Sequence, residues 1–142
     1  MSTSSSVEPV AEVRSGSPLA FVARLVAAAI LAQTLFFKFS GAPEAVHIFE
    51  TLGVEPWGRI ALGVVELVTA ILLLVPATRA VGSLVASGLM LGAIGSHLGP
   101  LGIEVQGDGG MLFALAVVTL VCSAYATVVY RRELPLIGSK LG

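Results

Sequence analysis

An all-α integral membrane four-helix bundle is the fold that three features of this 142-residue chain predict. Four apolar runs, at about 18–39, 57–75, 80–97 and 110–130, each approach the roughly 20 residues that cross a bilayer as a helix. Hydrophobic residues make up 56% of the chain and charged residues 12%, with a mean hydropathy of +0.95. Soluble domains run about 45–50% apolar and about 25% charged. The runs are also apolar nearly all round, so none keeps the polar face that a water-facing helix needs. One domain suits the length.

Each element has its own start and stop signals. Residues 1–17 are Ser-rich, polar and without an apolar face, which predicts a disordered cytoplasmic tail. Ser17-Pro18 opens the first helix, with proline tolerated in the first turn. Gly41, after Lys38-Phe39-Ser40, supplies the left-handed residue that ends it. The run is too long for a signal-peptide core, so an uncleaved helix is expected. Between Pro43 and Gly53, Val46, Phe49 and Leu52 recur at helical spacing while Glu44, His47 and Glu50 fall on the polar side. That pattern predicts a short amphipathic helix on the membrane surface. Pro56-Trp57 marks re-entry, with the indole suited to the headgroup level. Pro76 stops the second long helix, and Pro76 to Arg79 suffice only for a tight turn, so the second and third long helices are antiparallel neighbours. Gly88, Gly92 and Ser96 form an i, i+4, i+8 row on the third. Such a row predicts close packing against another helix, within the subunit or across a homo-oligomer. Gly99-Pro100 ends that helix, Asp108 is placed to cap the fourth, and Arg131-Arg132 close it. Residues 18–132 thus form the transmembrane domain, and 133–142 a second cytoplasmic tail.

Basic residues orient the bundle. Arg14, Arg79, Arg131, Arg132 and Lys140 gather on one side, and only Lys38 and Arg59 lie on the other. The positive-inside rule makes the richer side cytoplasmic, so both termini are inside and the chain is a multi-pass protein of a bacterial-type cytoplasmic membrane. The acidic residues Glu44, Glu50, Glu55, Glu104 and Asp108 then all face out.

Composition also excludes function classes. The net charge of −1 leaves no basic stripe for nucleic acid. The lone Cys122 permits no intramolecular disulfide or dithiol pair and reads as a small buried hydrophobe. No nucleophile–base pair, metal cluster or phosphate loop is visible, so no catalytic residue is assigned and an independent enzyme is not expected. His47 and His97 are the only histidines, and their spacing gives no support to a metal site.

The candidates for chemistry are ionisable groups in apolar surroundings. Arg24 lies inside the first run. Glu66 lies nine residues past Trp57, roughly 13 Å deep at 1.5 Å per residue. A charge at the bilayer centre costs about 2.5–3.5 kcal/mol on insertion scales, so such groups normally face protein and are paired. Arg24 is the expected partner by depth. Lys38, near the outer end of the same helix, reaches Glu66 only by pointing inward. The pair either fixes helix register or serves as a proton-accepting or ligand-anchoring site. Lys38, Arg59 and His97 lie at the outer ends of different helices and suggest an outward-facing basic pocket, against the plainer reading of snorkelling and capping groups. Gln33, Thr34 and Thr69 add polar groups able to bond a quinone carbonyl, a lipid headgroup or a neighbouring helix.

Three stretches resemble the DoxX/DoxX-like family of small four-helix membrane proteins. They are Phe37-Lys38-Phe39-Ser40-Gly41-Ala42-Pro43, Gly63-Val64-Val65-Glu66-Leu67 running on to Leu74-Val75-Pro76, and Leu91-Gly92-Ala93-Ile94-Gly95-Ser96-His97-Leu98. The resemblance covers about residues 20–134. The family takes its name from a membrane subunit of a thiosulfate:quinone oxidoreductase. Other members look like partners in redox complexes, and distant eukaryotic relatives look like membrane chaperones. The resemblance therefore implies an accessory or anchor subunit of a quinone-linked redox complex, with a soluble or membrane redox partner and a quinone as the cofactor to look for. A lipid- or small-solute-binding protein or transporter with Arg24 and Glu66 in a central site is the alternative. A membrane chaperone or scaffold is a third class. The binding candidates are Arg24, Gln33, Lys38, Arg59, Glu66 and His97.

Overall fold

The structure, a computed structural model, describes residues 17–140. Apart from Ser17, the tail expected over 1–17 lies outside the described residues, as do residues 141 and 142. Five α-helices follow in order: α1 Pro18–Ser40, α2 Pro43–Thr51, α3 Trp57–Leu74, α4 Arg79–Leu98 and α5 Met111–Val129. Four of them are long and apolar enough to cross a membrane. The long-helix boundaries fall within one residue of those expected. Their stops are chemical: the Ser17 hydroxyl accepts from the Ala20 amide, and Gly41 takes the left-handed conformation at φ 68° with its amide on the Phe37 carbonyl.

The bundle is a square. α1 packs on α3 and α5, and α4 packs on α5 and α3, leaving α1 and α4 diagonal. Its surface and interior invert the soluble pattern. Val64, Leu67, Val68, Ile71, Val118, Val121 and Val128 are exposed, whereas Ala27, Ala86, Ala126, Ser83, Ser123 and Thr119 are buried. In lipid, apolar side chains lose nothing by facing out, and small residues let backbones approach. Interior hydroxyls are satisfied on their own helices or across them. Ser83 donates to the Arg79 carbonyl at 2.7 Å, Thr119 to Leu115 at 2.8 Å, and Ser87 to the Ser123 hydroxyl at 3.1 Å. The chain is a membrane helical bundle.

One expectation is corrected in part. Within the subunit Gly88 and Gly92 do not pack on another helix: a Cβ built on either meets nothing within 4 Å among the described residues. The close approach is made by Gly82, where a Cβ would lie 2.6 Å from the Leu73 backbone nitrogen and 2.7 Å from the Leu72 carbonyl carbon. α3 and α4 therefore touch backbone to backbone at Gly82, close to the turn that joins them. The segment after α5 packs back on the bundle as far as it is described. Leu134 is buried with Ala20, Ala80, Ala126 and Tyr130 in a small inner cluster, because the turn Arg131–Glu133 folds it over the bundle end.

The 99–110 loop is held by Asp108. Its carboxylate accepts from the amides of Val105 at 3.0 Å, Gly110 at 2.8 Å and Leu112 at 3.0 Å, the last in the first turn of α5. Desolvation pushes this carboxyl up, but the amides of Leu112, Val105 and Gly110 together with nearby His97 outweigh it and hold it below its ordinary value. Asp108→Ala is expected to cost about 0.5–2 kcal/mol, the usual loss for a helix-capping side chain. Because the folded carboxyl is depressed, its stabilisation is complete above the ordinary carboxylate value and disappears as the pH falls through the folded value. Melting the wild type and the variant in acid and at neutral pH checks both points: the difference should vanish in acid.

Candidate functional site

A cavity of about 410 Å³ lies between the four long helices, towards the end of the bundle that α2 covers. α1 contributes Leu31, Thr34 and Lys38, α3 contributes Leu62 and Glu66, and α4 presents Gly88, Gly92, Ser96 and His97. Leu112, Leu115 and Ala116 of α5 close the back. Ile48, Phe49 and Leu52 of α2, with Leu101, cover one end. Phe49 is buried, so α2 spends part of its apolar face on the bundle as a lid.

An ion pair stands in the wall. Lys38 Nζ lies 2.9 Å from Glu66 Oε2, with the two side chains 14% and 6% exposed. The Thr34 hydroxyl, one turn before Lys38, donates to the Leu31 carbonyl at 2.8 Å and lies 3.4 Å from Glu66 Oε2. Arg59 fixes the backbone that carries Lys38. Its Nε donates to both Glu55 carboxylate oxygens at 2.9 and 3.1 Å, and its Nη1 donates to the Lys38 carbonyl. That carbonyl sits in the last turn of α1, where no helical amide remains to serve it. Lys38 is thus held at its backbone by one charged group and at its tip by another.

His97 is buried on the opposite wall. Its Nδ1 lies 2.9 Å from the Gly102 carbonyl, and its ring meets Phe113 edge-on with centroids 5.8 Å apart. A carbonyl only accepts, so Nδ1 carries the hydrogen. In the neutral ring Nε2 is then an acceptor. The cavity therefore combines ammonium donors, carboxylate and imidazole acceptors and a mainly apolar lining.

Arg24 does not pair with Glu66. It is buried at the other end of the bundle, where Nη1 donates to the Leu73 carbonyl at 2.7 Å. Its guanidinium also lies 5.4 Å from the Phe21 ring centroid and 5.5 Å from that of Tyr130, whose ring meets Arg79 at 4.1 Å. The reason is helical register. Thr34 stands opposite Glu66 and Arg24 stands opposite Leu73. Arg24 is ten residues from Thr34, about 15 Å along α1, whereas Lys38 is one turn away. Arg24 instead serves a carbonyl at the end of α3, where Pro76 prevents the helix from continuing and the dipole favours a cation.

Lys38, Glu66 and His97 thus meet in one cavity. Arg24, Gln33 and Arg59 do not line it: Gln33 is exposed on α1, and Arg59 acts through the Lys38 backbone. Thr69 is buried and bonds the Val65 carbonyl of its own helix at 2.7 Å. The lid residue Phe49 and the glycine wall were present in the sequence under other readings, as an interfacial helix and as a helix-contact row. Among the described residues no three His, Cys, Asp or Glu side chains converge as a metal site would require.

A square bundle of four apolar helices, with a buried ion pair in the wall of a cavity, defines a small membrane helical bundle. The DoxX-like family profile matches residues 21–125, and the chain belongs to that family. No curated protein and no solved structure matches it.

Proposed function

We propose that this DoxX-like protein binds the polar head of a small membrane amphiphile, a quinone by chemistry, and serves as an accessory or anchor subunit of a quinone-linked redox complex. One observation carries the reading: a buried Lys38–Glu66 pair in the wall of an otherwise largely apolar cavity. Binding sites for small molecules typically join an apolar lining to a few placed polar groups. A quinone ring is flat and apolar, and its carbonyls only accept hydrogen bonds. The Lys38 ammonium has three donors and supplies such a carbonyl while staying paired with Glu66. Leu31, Leu62 and Leu115 offer apolar contact to a ring. The electron chemistry belongs, in this reading, to a soluble or membrane partner, and this chain holds the quinone in place. The proposed orientation has both termini in the cytoplasm, so the lidded end faces out.

A lipid- or small-solute-binding role is the second reading. It is favoured by the nearly complete apolar lining away from the ion pair and His97. Purification in mild detergent, followed by mass spectrometry of co-purifying quinones, lipids and proteins, separates the two. A quinone together with an oxidoreductase subunit is expected. Phospholipid alone would move the assignment to the second reading.

A further inference from the structure

We infer that the cavity is filled sideways from the bilayer, through a cleft between α3 and α4 at Gly88 and Gly92, and that its ligand carries a hydrocarbon chain lying in that cleft. The inference rests on the binding reading above and adds the route and the chain. The first support is shape. α3 and α4 are locked together at Gly82, where a single added carbon would strike the backbone of Leu72 and Leu73. By Gly88 and Gly92, which line the cavity, an added carbon meets nothing within 4 Å among the described residues. Ten residues of α4, about 15 Å of helix, separate the tight contact at Gly82 from the open position at Gly92.

The second support is exposure. Of the residues lining the cavity, Gly88 and Gly92 are the exposed ones, and the rest are buried or half-buried. The outer end lies under α2, with Phe49 buried, and under Leu101. The exposed part of the lining is therefore at the flank of the bundle, where α4 carries only hydrogen at Gly88 and Gly92.

Depth supplies the third support. Gly88 stands at the middle of Arg79–Leu98, which puts the opening level with the centre of the hydrocarbon layer. A water-soluble solute has no route through that layer, whereas an acyl or prenyl chain already lies in it. Ser96 and His97 sit on the same helix one to two turns nearer the lid, so the polar head points outward and the chain leaves at mid-depth. The occupant of the cleft is thus the chain of a membrane amphiphile.

The test uses the full chain in phosphatidylcholine nanodiscs, with part of the lipid carrying a diazirine at the end of one acyl chain. Chain ends reside at mid-depth, level with Gly88. After irradiation, adducts are expected on the buried wall residues Met90 or Ala116 as well as on the exposed Leu91 and Val121. In Gly88→Leu/Gly92→Leu the new side chains enter open space, so the bundle should fold, lose the adducts at Met90 and Ala116, and keep those at Leu91 and Val121. Wild-type adducts confined to Leu91 and Val121 would overturn the inference. So would wall adducts that persist in the double variant. If that variant fails to fold, the wild-type pattern decides alone. Lys38→Met/Glu66→Gln, in which neither charge is stranded, should reduce binding of a decyl-substituted quinone whatever the lipid-chain adducts show. Unchanged quinone binding in that double variant would count against the head-group reading and leave the cleft standing.

Discussion

Lys38→Met is expected to lower stability by about 3–5 kcal/mol, the range for removing one partner of a buried pair and stranding the other. Glu66 is the deeper member, on the middle of α3 and 6% exposed at its side chain, with only the distant Thr34 hydroxyl left to it. Glu66→Gln should cost less, because Lys38 lies close to the end of α1 and its long stem can carry the freed ammonium towards the headgroups. Lys38→Met/Glu66→Gln should recover most of the loss, since neither charge is then stranded. Arg24→Gln combined with Glu66→Gln should instead add within about 0.5 kcal/mol, because the two sites share no partner. Reversible unfolding in mixed micelles measures all of these. A Lys38–Glu66 coupling no larger than the Arg24–Glu66 one would show that the pair carries no structural weight.

Gly82→Val is the second large effect. A Cβ there would sit 2.6 Å from one backbone atom and 2.7 Å from another, and backbone at a helix contact cannot swing aside as a side chain tip can. Overpacking a tight site costs about 1–3 kcal/mol and sometimes more. Here the upper end is expected, because α3 and α4 must part along their one close contact. Gly92→Val, ten residues along the same helix, should change stability little. Paired melting curves check this contrast. Equal losses at the two positions would mean that α4 approaches α3 along its whole length and that the cleft is not there.

The contrast between these glycines also shows what the sequence could and could not disclose. Helix limits were legible because each is written in local chemistry: Ser17-Pro18 and Gly41 on α1, Pro76 after α3, Asp108 before α5. The row Gly88, Gly92, Ser96 was equally visible, but a row of small residues describes missing side chains. It does not say whether a helix or a void occupies the room they leave. Gly82 stands outside that row and gave no pattern to notice, so the true contact was missed.

The ion pair was half legible. The cost of a lone carboxylate required Glu66 to have a basic partner on α1, and it has one. The choice between Arg24 and Lys38 turned on the relative sliding of two helices, which depth counted from the run ends did not resolve. The end of α3 carried the missing signal. α3 ends at Leu74, ahead of Pro76, so the Leu73 carbonyl in its last turn has no helical amide, and Arg24 is the cation at that level. The site was legible to the same degree. Lys38 and His97 meet at the cavity, while Arg59 lies behind Lys38 and Gln33 faces away. That Arg59 would serve a backbone carbonyl depends on how the chain turns between Gly41 and Trp57, which no pattern of residues displayed.

The most direct measurement of the central claim is a titration of the full chain in nanodiscs with a decyl-substituted benzoquinone, comparing wild type with Lys38→Met/Glu66→Gln. The double variant removes the polar anchor while keeping the bundle balanced in charge, so a change in affinity reports the site and not the fold. Saturable wild-type binding, with a loss of about tenfold or more in the variant, equivalent to about 1.4 kcal/mol or more, is the expected result. Equal binding by the two proteins, or no saturable binding by the wild type, would contradict the assignment of this cavity as the quinone-head site.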